Sequence, residues 1–471
     1  MKETIKQPAK STTALGKQRS YNEIIEFLDK HWTTNTQDKA LSCIKKLDQA
    51  LGNIAKKLPT ILVTGTNGKS LTINFTAKLL KEEGLRVGTF YAPHILTYNE
   101  RIAFQDELIS NKTFAEIGNE VINAAEGAGL EPNSFEVLTM MALLHFKAQN
   151  VDLALFEASD DSMAPALCVP KIIAITRVLP DELHVPAEKV KKALEHVLEF
   201  VKENTSVVSA DQSKLNLQAM QDFVTEKGGV WEMPIRKLAV LGYPFEQLHG
   251  RCAALAERIS SIYINSFHNQ NATIVADTLL TKQKGQRGRP TLEAKRQSEL
   301  NPKKTVEQFW KETQTTLPGH FQLLDKEKPT LLLDCARNLD GFKNLLLGIR
   351  LLHYQRPLKG LTVVIGCDNE NMNMEDFMKA LRYFFKKTSG SVILCPITTQ
   401  PGQGLGHASW DVEKVANDIK NMKINVRTSK NFKEAFEAAQ KSVDERHGLV
   451  VLAGSPALLT EYWQYKGIKK L

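Results

Sequence analysis

Several features that would place this chain outside the cytoplasm are missing from its sequence. No apolar run among the 471 residues approaches the roughly 20 residues that a membrane-spanning helix needs. Residues 1–20 are polar and basic and lack the apolar centre of a secretory signal, so we expect a disordered tail there. The six cysteines form no Cys-x-x-Cys pair, which predicts free thiols in a reducing compartment. The sequence therefore predicts a cytoplasmic protein without a membrane partner.

The excess of positive charge is local rather than general. The chain has a net charge of +8, and residues 282–304 alone contain eight basic and two acidic residues. That segment also contains glycine and proline and few apolar residues, a composition typical of a solvated connector. We interpret residues 281–316 as an inter-domain linker, with contact to a polyanion as the alternative, and we expect no nucleic-acid partner.

The strongest local motif lies between residues 59 and 72. Apolar residues 61–63 predict a buried strand, Gly65 and Gly68 a tight turn, and the periodic residues from Leu71 onward a helix. This order is typical of a phosphate-binding loop, although the full Walker spacing has glycine where this chain has Val63. Backbone N–H groups and the helix N-terminus surround the anion in such loops. A glycine turn without a ligand is the alternative.

In the phosphate-loop interpretation, the turn binds ATP and a magnesium ion. Lys69 contacts the β- and γ-phosphates, and Ser70 offers its hydroxyl group to Mg²⁺. The predicted nucleotide-binding residues of the loop are Gly65, Thr66, Asn67, Gly68, Lys69 and Ser70.

Strands and helices alternate on both sides of the basic segment, which predicts α/β folds with parallel, doubly wound sheets. We expect an ATP-binding domain over residues 21–280 and a second α/β domain over residues 317–471. Ligands bind at the carboxyl ends of parallel strands. Glu157 directly follows the predicted strand 151–156, so we expect it beside the phosphate loop as a ligand of Mg²⁺. A solvated carboxylate that caps a turn is the alternative for Glu157.

Other strands are predicted by apolar runs of similar length. They lie at residues 86–92 and 172–176 in the first domain and at 330–333, 361–366, 391–395, 424–426 and 449–452 in the second.

Several separated stretches match the motifs of one enzyme family. They are Leu58 to Ser70 against its Gly-Thr-Asn-Gly-Lys loop, residues 92–102 against Ser-Pro-His and Tyr-Asn-Glu-Arg-Ile, residues 135–139 against Phe-Glu-x-Leu-Thr, residues 317–319 against Trp-Pro-Gly-Arg, residues 334–338 against Asp-Gly-Ala-His-Asn, and Gly454-Ser455 against Gly-Ser. In their order and spacing, they resemble folylpolyglutamate synthase, including its dihydrofolate synthase form, within the ATP-dependent Mur ligase superfamily.

The resemblance implies a phosphate-loop domain of the Mur ligase central type, with a parallel sheet, and a C-terminal Rossmann-like α/β domain. It also implies an amide ligase that uses ATP and Mg²⁺, and we expect the protein to be a monomer. A carboxylate of folate or dihydropteroate attacks the γ-phosphate, and L-glutamate then attacks the acyl phosphate. The residue roles implied are Lys69, Glu157 and Arg337 in catalysis, Asp334 and Asn338 at the nucleotide or the amino acid, and His94, Asn99 and Arg101 at the folate.

The chain departs from the family pattern in the middle of this chemistry. The glycine-rich run after the family's acid is replaced by residues 159–168. The family's metal-binding Leu-Asp-His turn aligns with residues 180–182, with His184 as a possible substitute ligand. The carbamylated lysine aligns with Val197, the family's histidine with Arg337, and an arginine-bearing loop with residues 398–402. Two hypotheses follow, a divergent ligase with one main metal site and a non-catalytic ATP-binding relative.

Overall fold

Two α/β lobes, each built on one sheet, make up the computed structural model of the chain. The structure describes residues 16–32, 41–158, 164–178, 194–195, 198–210, 213–232, 246–268, 316–366, 374–398 and 410–470. We call the described residues up to 268 the N-terminal lobe and those from 316 onward the C-terminal lobe. Within these ranges, no helix combines the length and the apolar character needed to cross a membrane.

The N-terminal sheet has eight strands. They are β1 (Thr60–Thr64), β2 (Val87–Phe90), β3 (Ile102–Phe104), β4 (Glu107–Leu108), β5 (Leu153–Glu157), β6 (Ile172–Ile175), β7 (Ser206–Ser209) and β8 (Val230–Glu232). The order across the sheet is β4-β3-β2-β5-β1-β6-β7-β8. The strands from β2 to β8 in this order run parallel, whereas β3 and β4 form an antiparallel edge. Strand β1 is central and fully buried, so its carboxyl end opens at the middle of the sheet edge.

Helices cover both faces of this sheet. The α-helices of the lobe are Tyr21–Lys30, Ser42–Ala50, Lys69–Glu82, Asn111–Gly127, Ser134–Ala148, Lys214–Glu226 and Glu246–Tyr263. Short 3-10 turns occur at Ala55–Lys57, Tyr98–Arg101 and Ala164–Cys168, and a π-turn at Ile264–His268. Capping boxes begin two of the helices, Ser20 with Glu23 and Asn133 with Glu136, which satisfies N–H groups that a helix end leaves free.

The C-terminal sheet has six strands in the order β13-β12-β11-β14-β10-β9. They are β9 (Gln322–Leu324), β10 (Thr330–Asp334), β11 (Leu361–Gly366), β12 (Ser391–Leu394), β13 (Asn425–Thr428) and β14 (Leu449–Gly454). All are parallel except β9 at the edge. The helices are Leu339–Gln355, Met374–Phe385, Val412–Asn421, Phe432–Lys441 and Pro456–Tyr465. One apolar cluster continues from the helix Glu246–Tyr263 into the helix Leu339–Gln355, so the two lobes share part of their core.

The predicted alternation of strands and helices is confirmed, with differences at particular places. The amphipathic pattern of residues 41–57 predicts one helix there, but that helix ends at Ala50, because Gly52 takes a φ of 90° that a continuing helix does not allow. The short strands β3, β4, β7, β8 and β9 were not expected from apolar runs. Arg19 is buried and its guanidinium donates to Asn123, so the expected tail is too long by residues 16–20. Residues 1–15 and the basic segment 282–304 lie outside the described part.

Candidate functional site

The turn between β1 and the helix Lys69–Glu82 has the geometry of an anion-binding loop. Gly65 has a φ of 119° and Gly68 a φ of 89°, in the region that side-chain-bearing residues rarely adopt. A Cβ atom at Gly65 would lie 2.4 Å from the hydroxyl oxygen of Thr176, and one at Gly68 would lie 2.7 Å from the sulfur of Cys252. Both glycines are therefore required by conformation and by space.

Lys69 begins the helix and folds back over the loop. Its Nζ donates to the carbonyl oxygens of Gly65 at 2.9 Å and Thr66 at 3.2 Å. The same atom lies 3.9 Å from a carboxylate oxygen of Glu157. The ammonium group is thus held at the mouth of the loop, where an anion would meet it.

Glu157 is brought to the loop by strand pairing. It is the last residue of β5, and the register of β5 against β1 sets it opposite Val63. Its Oε2 accepts a hydrogen bond of 2.7 Å from the Ser70 hydroxyl and one of 3.3 Å from the Ala92 N–H. The side chain of Glu157 is almost fully buried, which rules out the alternative of a solvated turn cap. Burial raises the pKa of this carboxyl group, an effect that Lys69 opposes.

These two side chains fit a magnesium ion. A hydroxyl and a carboxylate are the hard oxygen donors that Mg²⁺ prefers, and Mg²⁺ commonly takes its remaining ligands from phosphates and water. Within the described ranges, no cluster of three His, Cys, Asp or Glu side chains could hold a metal by itself. The predicted ligand His184 lies outside the described residues. The described donors therefore suit a metal that arrives with a nucleotide.

The C-terminal lobe presents residues 334–338 to the same cavity. Asp334 ends β10, and its Oδ2 accepts a hydrogen bond of 2.9 Å from the N–H of Phe321. Burial raises the pKa of Asp334 to about 7, against the lowering effect of backbone N–H groups. Asn338 caps the helix Leu339–Gln355 by accepting from the N–H of Gly341 at 2.8 Å. Arg337 stands half-buried between Asp334 and Asn338 and lines the cavity.

The predicted folate residues lie in one segment but differ in their access to the cavity. Arg101 borders the cavity but is fully buried, and its guanidinium packs over the rings of Trp32 and Phe135, at 5.2 and 5.5 Å from their centres. Its Nε donates to Nδ1 of His94 at 3.0 Å. His94 lies behind Arg101, and burial together with the charge of Arg101 lowers the pKa of the imidazole. The histidine therefore serves as a neutral acceptor that orients the arginine.

Asn99 is enclosed by its own lobe and is not among the residues that line the cavity. Its amide nitrogen donates to the carbonyl oxygen of Ile109 at 2.8 Å and to Asn111 at 3.1 Å. Its amide oxygen accepts from the Tyr21 hydroxyl at 2.7 Å. These bonds give Asn99 a supporting place under the folate segment, and a contact with substrate remains a prediction.

A cavity of about 500 Å³ lies between the two lobes and joins these groups. It contacts the phosphate loop, Glu157, Arg101 and residues 334–338 together. Further lining residues that the sequence motifs did not indicate are Arg177, Arg251, Cys252, Thr316, His320 and Asp340. They stand outside the recognised motifs, so no local pattern marks them.

We compared the chain with known proteins by sequence and by fold. No family model matches the chain. The chain is 26% identical over 333 residues to a dihydrofolate synthase/folylpolyglutamate synthase of Bacillus subtilis, over 65% of this chain and 70% of that protein. The Mycobacterium tuberculosis folylpolyglutamate synthase complexed with ADP superposes with a TM-score of 0.71 at 18% identity, over 95% of this chain and 98% of that one.

A bifunctional folylpolyglutamate synthase/dihydrofolate synthase with Mn, AMPPNP and L-glutamate bound superposes with a TM-score of 0.69 at 17% identity, over 96% of this chain and 98% of that chain. The solved structures show that the two-lobed α/β fold is shared. The sequence similarity to the Bacillus subtilis protein confirms the predicted resemblance to folylpolyglutamate synthase.

Proposed function

We propose that this chain is an ATP-dependent ligase that joins L-glutamate to a folate-type carboxylic acid, as the enzymes that it resembles are named for doing. The observation that carries the proposal is the pairing of Ser70 with Glu157 at 2.7 Å beside the loop lysine. This group faces residues 334–338 of the second lobe across one cavity. The phosphates of ATP, the folate-type acid and L-glutamate can therefore bind next to one another in this cavity.

Magnesium belongs to this proposal as the ion held by Ser70, Glu157 and the phosphates. When bound, it offsets the negative charge of the phosphates during their transfer. Burial of Glu157 favours the pairing, because a buried carboxylate is poorly solvated and gains more from a cation than an exposed one. Ser70 has only to turn its hydroxyl from Glu157 towards the ion.

Lys69 acts on the phosphates in the proposed mechanism. Its ammonium group exchanges the two loop carbonyls for phosphate oxygens, which form stronger, charge-assisted hydrogen bonds. A carboxylate of the acceptor attacks the γ-phosphorus, ADP leaves, and an acyl phosphate forms. Arg337 approaches from the opposite lobe, where its planar guanidinium suits a phosphate or a carboxylate.

Asp334 acts on the incoming amino acid. The amine of L-glutamate attacks the acyl carbon, the amide bond forms, and inorganic phosphate leaves. With its pKa raised to about 7, Asp334 can attract the ammonium group or accept its proton near neutral pH. Arg101, stacked on Trp32 and Phe135, is a buried cation beside the cavity whose charge attracts the acidic end of the acceptor.

We propose that this chain differs from the family at the second metal site. Glu182, His184 and Val197, which align with the family's metal turn and carbamylated lysine, all lie outside the described residues. We propose a single main Mg²⁺ at Ser70 and Glu157. Anomalous scattering from Mn²⁺-soaked crystals with a non-hydrolysable ATP should show one strong site there. Two strong sites would mean that His184, Asp160 or Asp161 has taken over as a ligand.

Phosphate release from ATP is the direct test. It should require L-glutamate together with either dihydropteroate or a reduced folate, and each acceptor is supplied in turn. The departure at Arg337 favours a second candidate, an ATP-binding relative with impaired catalysis. That candidate is supported if MgATP raises the melting temperature while no acceptor yields phosphate or an amide product.

We propose that the protein is cytoplasmic. The five described cysteines, Cys43, Cys168, Cys252, Cys335 and Cys395, are free thiols, in keeping with the predicted reducing cytoplasm. We propose that the chain acts as a monomer, which light scattering of the purified protein would test.

A further inference from the structure

Asp340 of the C-terminal lobe is held by two side chains of the N-terminal lobe. Arg177 donates from Nη1 to Oδ1 of Asp340 at 2.9 Å, and Asn67 donates from Nδ2 to Oδ2 at 2.9 Å. The Asp340 side chain is only 14% exposed and that of Arg177 34% exposed. Each carboxylate oxygen of Asp340 therefore has its own donor from across the cavity.

A second contact joins the same two segments. The amide groups of Asn67 and Asn338 bond to each other in both directions, at 3.1 and 2.9 Å. Asn67 is the middle residue of the phosphate loop, and Asn338 is the cap of the helix on which Asp340 stands. The loop is therefore attached directly to the start of that helix, 271 residues away in the chain.

Local roles do not account for these contacts. An acid in the first turn of a helix interacts favourably with the helix dipole, and an asparagine cap satisfies a free N–H group. Both effects arise within the helix and need no contact with the other lobe. Neither role requires Arg177, whose guanidinium comes from the loop after β6. Exposed ion pairs contribute little, whereas a shielded, hydrogen-bonded pair is costly to break from one side. The contacts therefore constrain how the lobes meet.

We infer that Asp340 and Arg177 form a positioning pair that aligns the C-terminal lobe over the phosphate loop. The pair acts through Asn67 and Asn338 and does not itself contact the reacting atoms. It holds residues 334–338 opposite the phosphate site, so that Arg337 and Asp334 are correctly positioned to contact the substrates. The inference rests on the proposed ligase function only for its kinetic consequences, because the alignment itself is a property of the fold.

The kinetic test compares Arg177→Ala, Asp340→Ala, the double variant and Arg177→Lys. Misalignment of about 1 Å can cost about 10²-fold in rate, so we expect each alanine variant to lower kcat about 10- to 100-fold. The affinity for MgADP should change by less than about threefold, since the loop itself is intact. The double variant should be no slower than the worse single variant, because the two residues act as one unit. Arg177→Lys, which keeps the charge, should recover part of kcat.

Asp325→Ala is the control for the loss of an ion pair away from the cavity. It removes an ion pair of 2.8 Å to Arg356 that lies within the C-terminal lobe and does not line the cavity. It should leave kcat unchanged. A higher kcat in Asp340→Ala would overturn the inference, because the pair would then be a brake. Additive losses in the double variant, or a loss of MgADP affinity as large as the loss of kcat, would also overturn it.

Small-angle X-ray scattering separates this inference from the proposed function. If the wild-type protein shows no ligase activity, the radius of gyration still reports how the lobes are held. Asp340→Ala and Arg177→Ala should each have a larger radius of gyration than wild type and Asp325→Ala. Equal radii in all four proteins would overturn the alignment role, whatever the activity.

Discussion

The hydroxyl group of Ser70 lies 2.7 Å from a carboxylate oxygen of Glu157, although the two residues are 87 positions apart. Their meeting follows from the sheet order, in which β5 pairs directly with β1. Ser70 is the second residue of the helix that follows the loop after β1, and Glu157 ends β5. One strand pairing therefore brings together the loop and the acid to which we assign the phosphate and the metal.

Lys69→Ala should remove most of the affinity for ATP and leave the fold intact. Among the described residues, the polar contacts of Nζ are two loop carbonyls and a carboxylate oxygen of Glu157, so the substitution removes no core packing there. A charge-assisted hydrogen bond contributes about 1.5–3 kcal/mol, which corresponds to a loss of affinity of about 10- to 100-fold. The measurement is the rise in melting temperature with MgATP. If the variant is protected as well as wild type, the phosphate-loop interpretation is wrong.

Ser70→Ala and Glu157→Gln should remove the part of nucleotide binding that depends on Mg²⁺. Each substitution deletes one of the two oxygen donors that we assign to the ion. Calorimetric titration with ADP, with and without Mg²⁺, measures that part directly. Ser70→Thr is the control, because it keeps the hydroxyl and threonine serves in the same place in phosphate loops. An equal Mg²⁺ effect in all four proteins would refute the assignment.

Gly68→Ala should destabilise the protein for two separable reasons. A φ of 89° strains any residue with a side chain, and the new Cβ would lie 2.7 Å from the sulfur of Cys252. Together we expect a loss of about 2–4 kcal/mol in the free energy of unfolding. Gly84→Ala isolates the backbone part, because Gly84 has a φ of 87° and no atom within 4 Å of its added Cβ.

Adding Cys252→Ala to Gly68→Ala should relieve the steric clash and recover only the part of the stability that the clash had cost. The combined variant should then match the loss seen for Gly84→Ala, after correction for Cys252→Ala by itself. Denaturant unfolding of the four variants measures these differences. If Gly68→Ala costs no more than Gly84→Ala, then the helix Glu246–Tyr263 does not press on the loop, and the close approach of Cys252 is not rigid.

Asp334 should make the stability of the protein depend on pH. Its pKa is raised by burial from 3.8 to about 7, so the folded state binds this proton more tightly than the unfolded state does. The stability that this proton contributes is complete below 3.8 and is lost as the pH rises through about 7. Relative to Asp334→Asn, wild type should therefore lose stability between pH 4 and pH 8. Urea unfolding at several pH values tests this, and a difference that is constant with pH would contradict it.

The sequence by itself determined the parts of this protein that depend on local chemistry. The positions of Gly65 and Gly68 indicated a phosphate loop, and both residues adopt the positive φ that such a turn needs. The apolar runs predicted six strands to within one or two residues at each end, namely β1, β5, β6, β10, β11 and β14. These signals are readable because they depend on neighbours a few positions away. Short strands with mixed faces, such as β3 and β8, carry too few residues for a periodic pattern to stand out.

Only the tertiary structure decided which distant groups meet. The bonds of Asp340 with Asn67 and Arg177 join segments far apart in the chain, and nothing near any of the three predicts the others. The raised pKa of Asp334 is of the same kind, because burial depends on how the second lobe packs around it. Contacts of this sort are set by sheet order and by the packing of helices between lobes. Such packing is a sum over many small interactions and leaves no mark in a short stretch of sequence.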